Sequence, residues 1–342
     1  MAEVKLVAAI HWEKNMSPFS FSHEWLKRSV ELGLKVHRLN FKDSANAREI
    51  ASADLALWHW FHVPFDKSIA LPIISMLEKE TSIAVYPSTS TCCTFDEKIA
   101  QNGLFRLQGI RTPETWLFLD RESALRFAES DRKWPLVQKS SQGAGSSGVA
   151  LVQSKVELLK KIDGVFPPFS LLRPSLCRRI FNRSVRVLRT IRGRSCMADV
   201  LRPLPYIYLQ EFVSTDGADY RITVIGNRAF GFRRKNRPDD FRASGSGLIE
   251  YDPTHIALEA VQTAFAISRK NHFQSMAYDF LKTPDGELLC LEISYGFSGR
   301  AVEKCPGYWD PDLNWHDGHV VPEHAILEDL VAEALKRKTH TP

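Results

Sequence analysis

Tyr278–Ser294 has the sequence YDFLKTPDGELLCLEIS, which is typical of two antiparallel strands joined by a tight turn. Pro284 fixes φ at the turn, and Gly286 takes the left-handed position. A four-residue loop predicts that Lys282 pairs with Glu287, which sets the register of both strands. We therefore expect a β-hairpin here.

In that register Asp279 lies opposite Cys290 and one diagonal step, roughly 7 Å, from Glu292. Side chains alternate faces along a strand, so Asp279, Cys290, Glu292 and Ser294 are predicted to share one face. Two carboxylates among apolar strands repel each other unless a cation lies between them. Their hard oxygens suit Mg²⁺, or Mn²⁺ in its place, held together with substrate phosphates. The alternative is a surface hairpin whose carboxylates face water.

Composition indicates an ordinary globular protein. The 342 residues correspond to about two or three domains, and a net charge of +5 does not by itself argue for nucleic acid. The six cysteines have neither CxxC nor Cys/His spacing, so we expect no zinc site or disulfide framework. The apolar run Leu6–Ile10 is too short for a signal peptide, and no run approaches a membrane span. A reducing cytoplasm is the expected location.

Residues 1–95 alternate predicted strands and helices, which indicates a small parallel sheet. No phosphate-binding loop follows the first strand, so this segment is not a nucleotide site by itself. His59 and His62 within it are interpreted as structural rather than as metal ligands. Pro87–Phe95 is a plausible domain boundary, and Asp96–Gln108 then forms a predicted helix.

A glycine-rich loop lies between two predicted strands. Trp134–Lys139 and Val149–Gln153 are the strands, and Gly143–Gly148 between them matches GxGxxG. In a dinucleotide-binding fold such a loop opens a helix, but here a strand follows. A loop of this kind forms a flap able to lay backbone N–H groups over phosphates. A plain flexible hairpin is the alternative.

The segment Arg173–Arg194 is dense in arginine. Its apolar residues have roughly helical spacing, although its β-branched content also allows a strand. A solvated basic face is one interpretation. Binding of an anionic substrate or polymer, or peripheral attachment to an acidic membrane, is the other.

A second hairpin is predicted from Asp219–Ile225 and Arg228–Arg234, joined by a Gly-Asn turn. Ile225 then pairs with Arg228, and Asp219 falls opposite Arg234. The charges at its open end are either a structural ion pair or part of a polar site. A helix is predicted to begin at Pro253, with Pro at its first position.

Taken in order, these motifs resemble the ATP-grasp superfamily, and within it the ribosomal-protein glutamate ligase (RimK-like) branch. They are a lysine at a helix start, PLVxK with a glycine flap, QEFV, DYRxxVxG, DFRAS, and then Asp and Glu on successive strands. The resemblance implies an α/β fold in which two α+β subdomains clasp ATP, behind a small pre-ATP-grasp domain. The expected bounds are 1–95 for the small domain, 96–206 for the first subdomain and 207–342 for the second.

The resemblance also implies which residues bind the nucleotide. These are Lys98 and Lys139 at the phosphates and adenine side, Gly143, Gly145 and Ser146 in the flap, Gln210, Glu211, Phe212 and Val213 in the adenine hinge, and Asp219 at the ribose.

By the same resemblance, Arg234 and Arg242 face the transferred phosphate or acyl phosphate. Asp279 and Glu292 carry Mg²⁺. The family usually has Asn two residues after the metal-binding Glu, whereas this chain has Ser294 there. A shorter hydroxyl binds a metal less directly, so the role of Ser294 is left open.

The implied chemistry joins a carboxylate to a small-molecule amine through an acyl phosphate, with ATP as the phosphoryl donor. The acceptor implied is a peptide or a uronic acid of a surface polysaccharide. Phosphoryl transfer without amide formation is the alternative, and a binding module that uses Arg173–Arg194 is a third. The aromatic segment Gly307–His316 either binds the acceptor or covers the active site.

Overall fold

A computed structural model describes residues 5–140, 148–167, 205–237, 240–243 and 245–340. The flap residues Gly143, Gly145 and Ser146 and the segment Arg173–Arg194 lie outside these ranges. The predictions made for them therefore stay predictions.

The described chain alternates strands and helices in its first 110 residues and is richer in strands after that. The strands are β1 Val7–His11, β2 Lys35–Leu39, β3 Leu55–Leu57, β4 Ala84–Tyr86, β5 Thr115–Phe118, β6 Leu136–Lys139, β7 Val149–Val152, β8 Ile207–Glu211, β9 Ala218–Ile225, β10 Arg228–Lys235, β11 Ile249–Glu250, β12 Ser275–Lys282, β13 Leu288–Ser294, β14 Gly307–Trp309 and β15 Trp315–Asp317. The helices are α1 Ser22–Glu31, α2 Ala47–Ala51, α3 Pro64–Glu80, α4 Thr89–Cys92, α5 Lys98–Gln108, α6 Arg121–Glu129, α7 Lys155–Val165, α8 Leu258–Asn271, α9 Gly299–Glu303 and α10 Pro322–His340.

These elements form two compact units, one of Met1–Thr112 with Val213–Pro342 and one of Pro113–Phe212. The second unit contains an antiparallel sheet in the order β5-β8-β6-β7. Helices α6 and α7 belong to the same unit, and its core includes Phe127 and Ile162 from them. The expected domain bounds at 95 and 206 are not tested by this grouping and stay a prediction.

The first unit contains two sheets. The N-terminal sheet has the order β2-β1-β3-β4, and all its pairings are parallel, as predicted. The larger sheet is antiparallel, with the order β13-β12-β9-β10-β14-β15 and β11 paired with β10. Polar contacts connect the two sheets, since the Tyr86 hydroxyl lies 2.7 Å from that of Ser275 and Gln274 donates to the Val85 carbonyl.

The hairpin of β9 and β10 has the predicted register. Ile225 pairs with Arg228 around the two-residue turn, and Asp219 pairs with Arg234 at the open end. Gly226 has a φ of +54°, which a residue without a side chain adopts at little cost. The turn chemistry therefore sets the position of both charged residues.

The hairpin of β12 and β13 differs from its predicted register in two ways. Five residues form the loop, so Lys282 pairs with Leu288 and not with Glu287. A bulge at Leu291 then brings Asp279 directly opposite Glu292. Within the loop Thr283 N–H donates to the Glu287 carbonyl, and Glu287 N–H donates to the Thr283 hydroxyl.

Because five residues form the loop, Cys290 pairs with Phe280 and not with Asp279. Its placement on the acidic face is therefore wrong, and the side chain belongs to the hydrophobic core with Phe280. Cys290 N–H also donates to the Arg111 carbonyl of another segment. The face that carries Asp279, Glu292 and Ser294 is retained.

Two further expectations are modified. Pro253–His255 is a short 3-10 turn, with α8 beginning at Leu258, because Asp252 caps the turn and the backbone becomes extended at Ile256. The segment Gly307–His316 contributes to β14 and β15, where Trp309 is buried against the sheet. Its Trp309 ring is thus a core side chain.

None of the helices in the described part of the chain has the length and apolar character that crossing a bilayer requires.

Two glycines allow a matched test of this packing. A Cβ at Gly231 in β10 would lie 3.0 Å from the Trp309 ring and 3.1 Å from Ile222, whereas one at Gly103 in α5 would meet nothing within 4 Å. We expect Gly231→Ala to lower the free energy of unfolding by about 1–3 kcal/mol through overpacking. Gly103→Ala should raise it by about 0.5–1 kcal/mol through helix propensity. Urea denaturation measures both, and equal effects of the two substitutions would contradict the predicted packing.

Candidate active site

The centre of the larger sheet carries a buried network of two arginines and two aspartates. Strand β9 lies between β10 and β12, so Asp219 pairs with Arg234 on one side and Arg221 pairs with Asp279 on the other. These four positions share one face, as the alternation of side chains requires. Sequence reasoning found the first pair from the hairpin turn but not the second, which joins strands about 60 residues apart.

Each arginine donates two hydrogen bonds to the carboxylate of one aspartate. Arg234 Nε and Nη2 donate to Asp219 Oδ1 and Oδ2 at 2.7 and 2.6 Å. Arg221 Nε and Nη2 donate to Asp279 Oδ1 and Oδ2 at 2.6 and 2.7 Å. Arg234 Nη2 also lies 2.7 Å from Asp279 Oδ2, so this one guanidinium joins both carboxylates. Bidentate pairing of this kind adds orientation as well as energy.

Burial makes this charge balance necessary. Arg234, Asp219 and Asp279 are only 6%, 4% and 5% exposed. Burial alone would raise the pKa of Asp279, but the Arg221 and Arg234 guanidiniums outweigh it and hold that pKa below its usual range. Asp279 is therefore ionised at neutral pH, as a metal-binding carboxylate must be.

A second ion pair borders the network. Lys98, the first residue of α5, is buried, and its ammonium forms an ion pair with Glu292 on β13. Gln101, on the same helix, donates from Nε2 to the Ile293 carbonyl at 3.0 Å, which ties the start of α5 to that strand. Since Glu292 pairs with Asp279, one sheet face collects three acidic and three basic groups.

The acidic donors fit a hard divalent cation. Asp279 and Glu292 occupy directly opposite positions, and Ser294 follows on the same face, with its hydroxyl accepting from Gly296 N–H at 3.2 Å. Within the described ranges no three His, Cys, Asp or Glu side chains are gathered as a metal cluster. Mg²⁺, however, is usually held by one or two carboxylates together with substrate phosphates. The donor set is thus compatible with Mg²⁺ that arrives with a nucleotide.

The second unit brings together other predicted nucleotide residues. Lys139 on β6 pairs with Tyr208, and Gln210 on β8 pairs with Val137, so Lys139 and Gln210 lie diagonally on one face. Both are buried, and Gln210 Nε2 donates to the Thr115 hydroxyl at 3.0 Å.

The other predicted site residues lie at loops and strand ends. Glu211 is the last residue of β8, and its N–H donates to the Glu114 carbonyl at 2.8 Å. Phe212 ends the second unit and Val213 resumes the first. Arg242 binds Asp240, with its Nη2 2.7 Å from Asp240 Oδ2. The roles expected for these residues stay predictions.

Comparison with known proteins bears on the fold. No protein-family model matches the chain. A stretch of 72 residues is 38% identical to a D-alanine–D-alanine ligase of Bacillus anthracis, covering 21% of this chain and 23% of that protein. The match therefore spans less than a quarter of the relative's length.

Solved structures match over nearly the whole chain. A RimK-domain ATP-grasp protein of Sphaerobacter thermophilus has a TM-score of 0.58 at 14% identity, over 95% of this chain and 99% of that one. The D-alanine–D-alanine ligase of Bacillus anthracis complexed with ATP has a TM-score of 0.59 at 13% identity, over 99% of this chain and 100% of that one. The macrocyclase MdnC of Microcystis aeruginosa, bound with its precursor peptide MdnA, has a TM-score of 0.57 at 14% identity, over 96% of this chain and 100% of that one.

This chain has the ATP-grasp fold. The predicted fold class is thereby confirmed. Arg221 follows Asp219 by two residues, so alternation predicts that it shares a face with Asp219 and Arg234. Its pairing with Asp279 was not predicted, because the sequence does not show that β12 lies beside β9.

Neighbouring arginines on β10 test the network. Arg234→Met would leave two buried carboxylates sharing one guanidinium, and we expect a loss of about 3–5 kcal/mol in the free energy of unfolding. Arg233→Met is the matched control, because Arg233 pairs with Asp216, whose side chain is 50% exposed, and with Glu250. Its loss should be about 1 kcal/mol or less. Urea denaturation of both variants measures the difference, and similar losses would show that Arg234 does not hold the network together.

Proposed function

We propose that this protein is an ATP- and Mg²⁺-dependent ligase that joins a carboxylate to an amine through an acyl phosphate. The observation that carries the proposal is the register of β12. It places Asp279 opposite Glu292 on one side and opposite Arg221 on the other, with Arg234 and Lys98 in contact with the same carboxylates. The similar structures include a D-alanine–D-alanine ligase complexed with ATP and the macrocyclase MdnC, and both names support a bond-forming activity of this class.

In this proposal the protein positions the substrates and neutralises the charge of the transferred phosphoryl group. The substrate carboxylate attacks the γ-phosphorus of ATP, ADP leaves, and the amine then attacks the acyl carbon with release of phosphate and a proton. Lys98, Arg221 and Arg234 would neutralise the charge that develops on the phosphoryl oxygens. No enzyme nucleophile takes part, because the acyl phosphate is itself the activated species.

Asp279 and Glu292 would hold Mg²⁺, with the Ser294 hydroxyl beside them. When bound, Mg²⁺ supplies charge neutralisation at the phosphates. The two carboxylates differ in their surroundings, since Asp279 is held by both arginines whereas Glu292 is half-buried and paired with Lys98. Glu292 is therefore the better position for a test that spares the fold.

The nucleotide-binding roles expected of Lys98, Lys139, the 210–213 hinge and Asp219 belong to this proposal. A peptide acceptor is supported by MdnC, which is bound with a precursor peptide. Addition to a uronic acid rests on the sequence resemblance alone.

Removal of the Glu292 carboxylate should abolish turnover without unfolding the protein. We expect Glu292→Gln to reduce ADP release at least about 100-fold in the presence of a productive amine and acid, since the charge that holds the metal and pairs with Lys98 is lost. Glu287→Gln, in the exposed loop of the same hairpin, is the control and should turn over normally. Because Glu292→Gln leaves the buried Lys98 ammonium without its partner, its urea midpoint should fall while the protein stays folded in the assay buffer, whereas the midpoint of Glu287→Gln should be unchanged. Full activity of Glu292→Gln would remove the metal assignment.

Divalent cations should be required for the reaction. Chelation with EDTA should stop ADP release, and addition of Mg²⁺ or Mn²⁺ should restore it, because both accept hard oxygen ligands. Mass spectrometry of the products then identifies the reaction class. A ligase gives a product equal to both substrates minus one water, whereas a stable phosphorylated product would indicate a phosphotransferase instead.

A further inference from the structure

The first unit contains a cavity of about 500 Å³ whose lining residues have no role in the reaction proposed above. We call it the loop cavity. Its wall is formed by four segments, namely residues 18–27, 59–62, 296–303 and 321–323, together with Phe95. The segment from Gly296 begins two residues after Ser294, so the loop cavity starts where the strand that carries Glu292 ends.

His59 lines this cavity, and its imidazole ring has hydrogen-bonding capacity that the described part of the protein does not satisfy. Its ring stacks on Phe21 with centroids 3.9 Å apart, and the residue is 4% exposed. Nδ1 is buried and has no hydrogen-bond partner among the described residues. Burial, together with the nearby His62, lowers the pKa of His59 to about 3. The ring is therefore neutral, and it differs from the satisfied structural histidine expected from the sequence.

Three glutamates, Glu24, Glu303 and Glu323, also line the cavity. Glu323, in the first turn of α10, packs against Gly299 and has no ion-pair partner within the described part of the chain. Burial raises the pKa of Glu323 to about 7, and the charges of Glu24 and Glu303 add to the effect. An unpaired carboxyl group beside two others is costly unless a cation joins it.

The basic groups of the cavity lie at its rim. The Lys27 side chain is 63% exposed and pairs with Glu24, while Arg300 is exposed and lies over the Phe19 ring at 5.1 Å. A bound carboxylate would meet the charge of the lining glutamates, whereas the Lys27 and Arg300 side chains are exposed to solvent. A bound ammonium would meet the carboxyl of Glu323 directly.

Aromatic rings form the remaining wall. Phe297 lies 5.6 Å from Phe21 between ring centroids, and Phe61 lies 5.0 Å from His59. Such a lining favours an apolar or aromatic body, with the few polar groups fixing its orientation. The cavity therefore combines one acidic position with an apolar pocket.

We propose that the loop cavity binds the amine substrate as a primary ammonium, next to Glu323, with its apolar body among the rings of Phe21, Phe61 and Phe297. This inference rests on the proposed ligase function, and it names the chemical class of one substrate and the residues that select it. His59 hydrogen-bonds a second polar group of the same substrate. Glu323 acts on substrate binding and takes no part in phosphoryl transfer.

Three probes with the same aromatic body test the proposal on the full chain without ATP. Phenethylamine carries an ammonium, 2-phenylethanol a hydroxyl and 3-phenylpropanoate a carboxylate. Titration calorimetry at pH 7.5 should show that phenethylamine binds at least about 10-fold more tightly than 2-phenylethanol, because a hydrogen bond to a charged group contributes more than one between neutral groups. The carboxylate should bind most weakly. Tightest binding of 3-phenylpropanoate would overturn the proposal, as would equal affinity for all three.

Glu323→Gln should remove the preference for phenethylamine over 2-phenylethanol, with an affinity for the ammonium reduced about 10-fold or more. Glu333→Gln on the same helix is the matched control, because Glu333 pairs with Arg337 at the surface. In turnover assays Glu323→Gln should raise the KM for the amine and leave the KM for ATP unchanged. An unchanged probe preference in Glu323→Gln would overturn the proposal.

The two proposals fail differently. Suppose that ADP release and amide formation continue while the probes show no preference for the ammonium. Only the assignment of the cavity would then be wrong. Suppose instead that the cavity prefers the ammonium through Glu323 but that no ATP-dependent product forms. The ligase function would then be wrong, and the bound amine could not be identified as a substrate.

Discussion

The Arg234 guanidinium, hydrogen-bonded to Asp219 and to Asp279 in the interior of the larger sheet, is the interaction on which the site depends. Charges this deeply buried are tolerated only when each has a partner and good geometry. Arg234 supplies a partner for both aspartates, and Arg221 supplies a second for Asp279. Three adjacent strands must therefore keep their register, since a one-residue slip would turn these side chains to the opposite face.

That constraint accounts for two other features of the site. The bulge at Leu291 returns Glu292 to the charged face while Cys290 remains in the core. Gln101 then holds α5 against β13, so that Lys98 reaches Glu292. The face carries equal numbers of acidic and basic groups, and a bound phosphate would compete for the basic ones. In the proposed reaction the guanidiniums would thus lie where they can also donate to phosphoryl oxygens.

The loop cavity follows a different principle, because His59 Nδ1 has no hydrogen-bond partner and Glu323 has no ion-pair partner within the described part of the chain. His59 and Glu323 are held by packing, His59 by its stacking on Phe21 and Glu323 by its contact with Gly299. Unsatisfied groups of this kind cost stability, and they are retained where a ligand completes them. The charged network is thus complete without a substrate, whereas the loop cavity is not.

Elements with strong local signals could be predicted from the sequence. The parallel N-terminal sheet follows from the alternation of strands and helices, and the Asp219–Arg234 pair follows from the two-residue turn of its hairpin. The shared face of Asp279 and Glu292 was predicted through a four-residue loop, whereas the folded chain produces it with a five-residue loop and a bulge at Leu291. The remaining features depend on contacts between distant segments, which local signals do not encode. The Arg221–Asp279 pair needs β12 to lie beside β9, and Cys290, next to the bulge at Leu291, donates its N–H to the Arg111 carbonyl. The loop cavity is assembled from segments almost 300 residues apart, because burial and charge compensation act between residues that meet only in the folded chain.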